Sequence, residues 1–536
     1  MCQSFNLLKF ASRVTAVFLF VGLLLLNVSF AQPQPTHSFL VQAADLETAV
    51  TAVEAVGGTV THQLGLINGV GAELTDAQQT MLAQTEGIQL VANQSLTTAG
   101  SKGPYSGYPT VIGANLLHEQ GITGKNITVA VIDSGYWAQS ALNKNTSGQR
   151  RVLAAYDAIN DSFDQANTLD STDDYGHGTH VSSIILNSRM VGGQYNGVAP
   201  DANLVTIKAF DYEGKGNYLD VIRAIDWAIA HKDEYNIRIM NLSFSATPQS
   251  YYWEDPLNQA VMQAWDAGII VVAAAGNAGP DPMTVGVPGN VPYIITVGAM
   301  SDNHTPADGT DDILASFSSA GPTVEGFVKP DVVAPGGHML GYMDANMTIA
   351  AEHPEYHQRG TYFTMSGTSQ ATAVTSGVVA LMLQNDPTLT PDDVKCRLMS
   401  SAHTAVDENG ELAYSIFQQG AGQVNAYDAV YSTASGCANQ GLDLAADLDG
   451  TAHFGGPAMQ DDDGNFNIMN TDGFAWSGGF AWSGGFAWSG GFAWSGGFAW
   501  SGGFAWSGGF AWSGSAIPPE TQVQGTAQLG SWVPQE

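Results

Sequence analysis

Ile127-Thr128-Val129-Ala130-Val131-Ile132-Asp133-Ser134-Gly135 is the stretch on which the fold of this 536-residue chain turns. Its first six residues are apolar or β-branched with no polar alternation. That is the pattern of a strand buried on both faces, which belongs to a parallel sheet covered by helices. Runs of the same kind recur at 204–209, 237–242, 269–274 and 294–297, with helical patterns at 218–230 and 256–267 between them. The alternation predicts an α/β domain, a doubly wound, mostly parallel sheet flanked by helices. Asp133 follows its strand directly and so stands at the carboxyl edge, where ligands of such sheets bind. Taken alone, an aspartate there reads equally well as a helix cap.

Upstream, a Thr-, Gly-, Ser- and Pro-rich linker covers 97–109. Before it, 38–96 reads strand, helix, strand, strand, helix, strand. Residues 38–42 are extended and 46–56 helical, stopped by Gly57-Gly58; a second helix follows Thr75, which has capping-box spacing to Gln78, and 88–92 closes the sheet. This is a small α+β, ferredoxin-like unit. At the start, Lys9 and Arg13 precede an apolar run over 14–28, and Ser29-Phe30-Ala31 offers the small residues of a cleavage site. Residues 1–31 are therefore expected to be a signal peptide, giving a secreted or cell-surface protein. The run is short for a spanning helix and meets Gln32-Pro33-Gln34-Pro35 at once, so no stable membrane span is expected after its removal.

Downstream, a late helix opens with Thr390 as cap, Pro391 in its first turn and Asp393 making an acidic start, and 420–430 completes a domain bounded at 105–435. An acidic, Gly-rich linker follows over 441–472. Residues 473–514 are seven copies of Gly-Phe-Ala-Trp-Ser-Gly, and 515–536 form a C-terminal tail. The repeat period is even, so in an extended strand every Phe and Trp would share one face. A low-complexity coil, self-association, retention at a surface and carbohydrate contact all stay open for it.

Seventeen basic residues against 50 acidic ones give a net charge of -33, which repels phosphate backbones and anionic membranes; nucleic acid is not an expected partner. Cys2 precedes the apolar run, leaving Cys396 and Cys437, an exported pair that could tie the late helix to the chain after it. Spacing alone does not decide that bridge.

Two further segments carry chemistry. His177 lies in Asp174-Tyr175-Gly176-His177-Gly178-Thr179-His180-Val181, where glycines let backbone and substrate approach the ring before an apolar helix. His177 and His180, three apart, could share a metal, but no third ligand stands at a suitable spacing, and His180 is expected to pack or hydrogen-bond beneath the helix. Ser369 lies in Ser366-Gly367-Thr368-Ser369-Gln370 at the head of a helical run, where free backbone N–H groups favour negative charge.

Together, Val131-Ile132-Asp133-Ser134-Gly135, His177-Gly178-Thr179-His180-Val181 and Gly367-Thr368-Ser369 resemble the three catalytic signatures of the subtilisin-like serine peptidases, in that family's order Asp, His, Ser. A fourth segment, Ala273-Ala274-Ala275-Gly276-Asn277-Ala278-Gly279, is similar to the one whose asparagine helps hold the oxyanion. The resemblance covers roughly 105–430. It implies an endopeptidase acting on proteins or peptides, with Ser369 as nucleophile, His177 as general base and acid, Asp133 orienting His177 and Asn277 stabilising the oxyanion. It further implies that 38–96 is an inhibitory propeptide, an intramolecular partner removed by self-cleavage between residues 92 and 105. By the same resemblance Gly214, Gly216, Ser243, Phe244 and Ser245 lie on the two edges that pair with an extended substrate. Gly276 and Gly286 line the first specificity pocket, leaving room for Phe, Tyr, Leu or Met before the cut.

Ser245 stands where the family often has glycine and is expected to narrow that pocket. Gln370 replaces a frequent methionine and Ala373 a frequent proline, which restores a backbone donor and could straighten the helix. No cofactor is required for the chemistry. Structural calcium is admitted, with Asp461-Asp462-Asp463-Gly464-Asn465 as oxygen donors, though its glycine is misplaced for a calcium loop. Two other readings are an inactive, protease-shaped binding module and a surface protein built around the aromatic repeats.

Overall fold

The computed structural model describes residues 36–93 except 86, residues 105–468 except 166–171, 306–308, 310, 359–360, 408 and 462–463, and strand segments at 481–482, 486–487 and 526–529. The expected signal peptide, residues 97–104 of the linker and most of the repeat tract lie outside the described residues. The chain divides into two compact units, Met1–Ser101 and Lys102–Glu536.

In the first unit, β1 (His37–Gln42), α1 (Leu46–Ala55), β2 (Thr59–Leu64), β3 (Gly69–Leu74), α2 (Asp76–Ala83) and β4 (Gln89–Ala92) follow one another. The sheet order is β2-β3-β1-β4 with every pairing antiparallel. Thr75 and Gln78 close a capping box that starts α2. Val41, Val53, Val70 and Leu74 are fully buried between sheet and helices.

The second unit opens its sheet with β5 (Thr128–Asp133), every residue of which is buried, then β6 (Val152–Asp157) and β7 (Ser162–Gln165). Helix α3 (His177–Leu186) leads to β8 (Asn203–Lys208) and the short β9 (Lys215–Asn217). Next come α4 (Tyr218–Ala230), β10 (Ile237–Leu242), β11 (Phe244–Ser245), α5 (Pro256–Asp266), β12 (Ile270–Ala274) and β13 (Ile295–Ser301). After β14 (Ile313–Leu314), β15 (Val332–Pro335), β16 (Met339–Tyr342) and β17 (Tyr362–Met365) come α6 (Thr368–Asn385) and α7 (Pro391–Ser400). The last described strand is β18 (Thr526–Leu529).

The main sheet has nine strands in the order β14-β13-β12-β10-β5-β8-β6-β7, with β15 also on β13. Its inner pairings are parallel, and only β7 and β14 run antiparallel. From β5 the chain first builds one side, β6 and β8, then returns to build the other, β10, β12 and β13. The reversal puts the carboxyl end of β5, and with it Asp133, at the switch point where such sheets bind ligands.

Helix α6 is buried from Thr368 to Leu383. Such a helix is apolar or small-residued all round because it has no solvent face. Ala373 sits inside its unbroken 18 residues, where the family often has proline. Helix α7 starts on the Thr390–Asp393 capping box, and Cys396 within it is bonded to Cys437, with Cα atoms 5.2 Å apart.

Part of the stretch read as an acidic linker packs on this unit. It carries a helix, Leu444–Leu448, and a hairpin of Ala458–Gln460 with Phe466–Ile468. Asp447 is buried because the hydroxyls of Tyr252 and Tyr293 donate to one carboxylate oxygen while His453 meets the other. Among the described residues no helix is long and apolar enough to cross a membrane.

His180 shows what ties α3 to the β16–β17 pair. It is fully buried, and its Nε2–H donates to the carbonyls of Met339 and Phe363, each at 3.1 Å. Burial pushes its pKa down to about 4 from 6.5, so the folded protein holds it neutral. The unfolded chain then takes up the proton first, and stability present above pH 6.5 is lost as the pH falls toward 4, by about 3 kcal/mol. In a Ser369→Ala background, which prevents self-digestion, urea unfolding at pH 7 and pH 4.5 should show this loss. The His180→Asn variant should show a loss smaller by most of that amount; equal losses would contradict the assignment.

Candidate active site

Strand β5 and helix α3 bring Asp133 and His177 to the same edge. His177 Nδ1 lies 2.8 and 3.0 Å from the two Asp133 carboxylate oxygens, and both side chains are fully buried. The approach requires glycine. A Cβ on Gly178 would stand 2.3 Å from the Gly135 carbonyl oxygen, and Gly135 has a φ of 117° with a Cβ position 2.8 Å from the Thr172 carbonyl oxygen. Burial pushes the Asp133 carboxyl up, while the His177 imidazole and the Ser134 N–H, 2.7 Å from Oδ1, pull it back. Facing a carboxylate, Nδ1 carries the ring proton and Nε2 is an acceptor. That Nε2 is buried and has no hydrogen-bond partner.

Asp173 braces this pair. One carboxylate oxygen accepts from Ser134 Oγ at 2.8 Å and the Gly176 N–H at 2.8 Å; the other accepts from the Thr179 N–H at 2.8 Å and its hydroxyl at 2.6 Å. The Gly178 N–H in turn donates to Ser134 Oγ at 2.9 Å. A carboxylate on the free N–H groups of a helix start is favoured by the helix dipole. Here it also clamps the end of β5 to the head of α3. The sequence reading did not single out Asp173, although an aspartate four positions before a helical histidine is a recognisable start signal.

Helix α6 packs against α3 and carries Ser369 in its first turn. The Ser369 hydroxyl donates to the Ser243 carbonyl at 2.9 Å, and the Ser243 hydroxyl donates back to the Ser369 carbonyl at 2.9 Å. The hydroxyl is thus committed to β10–β11, and no Ser369–His177 hydrogen bond is made in this state. Asn277 Oδ1 accepts from the Thr368 N–H at 3.0 Å and its hydroxyl at 2.8 Å, which leaves the Nδ2 hydrogens as donors. A Cβ on Gly367 would stand 2.6 Å from Gln370 Oε1, with Asn277 Nδ2 at 3.4 Å and the Ser369 backbone nitrogen at 3.7 Å, so both donors border the space beside this glycine. Thr368, which the sequence reading passed over, orients that amide.

Gly276 and Gly286 meet at Ser245. A Cβ on either would stand 2.9 or 2.0 Å from Ser245 Oγ, so that hydroxyl fills part of the space the two glycines leave. Gly214 has a φ of 72° and lies against the Tyr175 ring, and Gly216 lies against Phe210. Strands β9 and β11 are the outer strands of a three-stranded antiparallel sheet whose middle strand is β18, from the far end of the same chain.

Among the described residues no three His, Cys, Asp or Glu side chains are grouped to hold a metal. Asp461 instead caps its own turn, accepting from the Asn465 N–H and from Asn467 Nδ2, while Asp462 and Asp463 lie outside the described residues. No step of the chemistry is routed through calcium.

Residues 124–422 match the family model described as the Subtilase family. The chain is 39% identical over 317 residues to serine protease AprX of Bacillus subtilis, spanning 58% of this chain and 67% of that one. It is 33% identical over 349 residues to subtilisin E of the same organism, 65% and 78% of the two chains. Against a subtilisin of Bacillus pumilus the identity is 36% over 293 residues, 54% and 89% of the two. With the family model spanning more than half of its length and these relatives, at 33–39% identity, covered over two thirds or more of their own length, the chain belongs to the subtilase family and is a serine-type endopeptidase.

Proposed function

We propose that the protein is an exported endopeptidase that cuts extended polypeptides through an acyl-enzyme on Ser369. The observation that carries the reading is the buried Asp133–His177 pair, whose free Nε2 is an acceptor in need of a proton donor. For reaction, Ser369 Oγ leaves the Ser243 carbonyl and gives its proton to Nε2 as it attacks the substrate carbonyl. Asp133 stays ionised, holding the ring and stabilising the imidazolium. Asn277 Nδ2 and the Ser369 N–H receive the negative oxygen. His177 then protonates the leaving amine, and water, activated by the same imidazole, releases the acyl group.

The two strand edges support the choice of substrate, since backbone pairing accepts many sequences in extended form. Export is supported by the sequence of 1–31 and by a relative from Bacillus subtilis named minor extracellular protease Epr, 30% identical over 333 residues. The first unit acts in this reading as folding aid and inhibitor, since slow parallel sheets gain from such help. It is freed by a cut between residues 92 and 105.

A serine-directed phosphonylating reagent should label Ser369, located by mass spectrometry, and stop casein cleavage. Ser369→Ala should lose about a million-fold in kcat, the loss known from subtilisin, and its precursor made alone should stay uncut. Folded, trimmed protein with neither label nor cleavage would point to the binding-module reading. Asn277→Ala should keep KM and lose about a hundred- to a thousand-fold in kcat, again the magnitude known from subtilisin. Ser245→Gly should widen the first pocket and raise kcat/KM for Phe over Ala before the cut by about tenfold, the scale of one or two methylenes of pocket volume; an unchanged ratio would remove Ser245 from that wall.

A further inference from the structure

The edges of β9 and β11 are already paired. Lys215, Gly216 and Asn217 lie opposite Gln528, Ala527 and Thr526, and Phe244 and Ser245 lie opposite Leu529 and Gln528, antiparallel on both sides. In sequence the strand is uncharged, free of Gly and Pro, and bounded by Gly525 and Gly530, so a short extended segment is set off between two breakers. Its direction matters as much as its position. Leu529, the C-terminal end of the strand, pairs with Phe244, the neighbour of Ser243, and the Ser243 carbonyl holds the Ser369 hydroxyl. A chain lying in this direction runs its carbonyl end toward the serine, the polarity a substrate needs.

We propose that the substrate cleft has a resident occupant, the chain's own segment Thr526–Leu529, which competes in cis with extended substrates. The proposal rests on the reading of β9 and β11 as the substrate edges. Between Ile468 and Thr526 lie residues 469–525, 57 residues in all. They can reach at most about 190 Å, several times the radius of the domain. A tether of this order holds its end near the cleft at an effective concentration on the order of 1 mM. A four-residue strand that would bind only weakly as a free peptide therefore stays docked when linked. Backbone pairing on both sides supplies the affinity, and the absence of charge spares a buried cost on an acidic molecule.

Two measurements test this, one of them independent of activity. In the full-length Ser369→Ala chain, Lys215→Cys combined with Gln528→Cys should form a disulfide under mild oxidation, seen as a linked tryptic peptide. Lys215→Cys combined with Thr521→Cys, outside the strand, should not. Equal yields from the two pairs, or none from the first, would overturn the docking. In the active protein, its C-terminus verified by intact mass, ending the chain at Gly525 should lower KM for a chromogenic peptide at least threefold at unchanged kcat. A synthetic peptide of residues 526–536 at millimolar concentration should restore the higher KM. Unchanged KM with no in-register cross-link rejects the occupant and leaves the protease reading standing. The in-register cross-link with no cleavage by either form rejects the protease reading and keeps the occupant.

Discussion

Everything at the site depends on one buried contact, the Asp133 carboxylate against His177 Nδ1. Taking a carboxylate out of water costs several kcal/mol unless hydrogen bonds replace the solvent. Asp133 receives them from the His177 ring and the Ser134 N–H. The contact exists only because a helix start comes within backbone contact of a strand end, and that closeness is a property of Gly178 and Gly135. The fold therefore sets the tautomer. With Nδ1 facing a carboxylate, the lone pair must be on Nε2, on the side where chemistry is needed.

The rest of the domain can be understood as holding two helix starts at one sheet edge. Asp173 secures α3 to β5 through Ser134, and the reciprocal Ser243–Ser369 hydrogen bonds secure α6 to the end of β10. Asn241 extends this second clamp, donating to Ser243 Oγ and accepting from Ser376 about two turns further along α6. Rigid elements fix such groups better than loops do, and preorganised donors cost no rearrangement as charge develops. A buried helix such as α6 is expensive in packing terms, because every added methylene is felt. The small residues Ala371, Ala373, Ser376 and Gly377 let it run between strands and α3, and a Cβ on Gly377 would already stand 2.5 Å from Val198.

What the sequence made legible follows from what each element buries. The runs at 127–132, 237–242 and 269–274 have no polar face, so periodicity alone marks them as inner parallel strands, and β5, β10 and β12 lie there. Tyr218–Ala230 is bounded by Asn217, whose side chain accepts from the Asp220 N–H, and a local cap of that kind can be read without tertiary knowledge. The site residues were legible through resemblance more than through physics, since an aspartate after a strand and a serine at a helix head are each ordinary caps. Asp173, Thr368 and the Ser243 carbonyl were not, because their roles arise from partners distant in sequence: Ser134, Asn277 and Ser369. Asp447 lies in the stretch read as an acidic linker, and two tyrosine hydroxyls from elsewhere in the fold give it a buried place that its local sequence does not signal. The pairing of β18 across β9 and β11 has no local signal at all, for a four-residue uncharged strand matches any open edge.

An open edge is the difficulty that this design creates for itself. Rows of unpaired N–H and C=O groups accept any extended chain, so an endopeptidase that reads backbone gains breadth and loses discrimination, leaving selectivity to its side-chain pockets. The same breadth makes the protein's own uncharged C-terminal segment a competent ligand, favoured by its tether over any dilute peptide. Whether a docked segment is held or cut then turns on the nucleophile. Here the Ser369 hydroxyl donates to the Ser243 carbonyl and His177 Nε2 has no partner, so the proton relay is not assembled while β18 occupies the edges. A substrate that displaces the strand must also draw the Ser369 hydroxyl away from the Ser243 carbonyl before the first bond can be made.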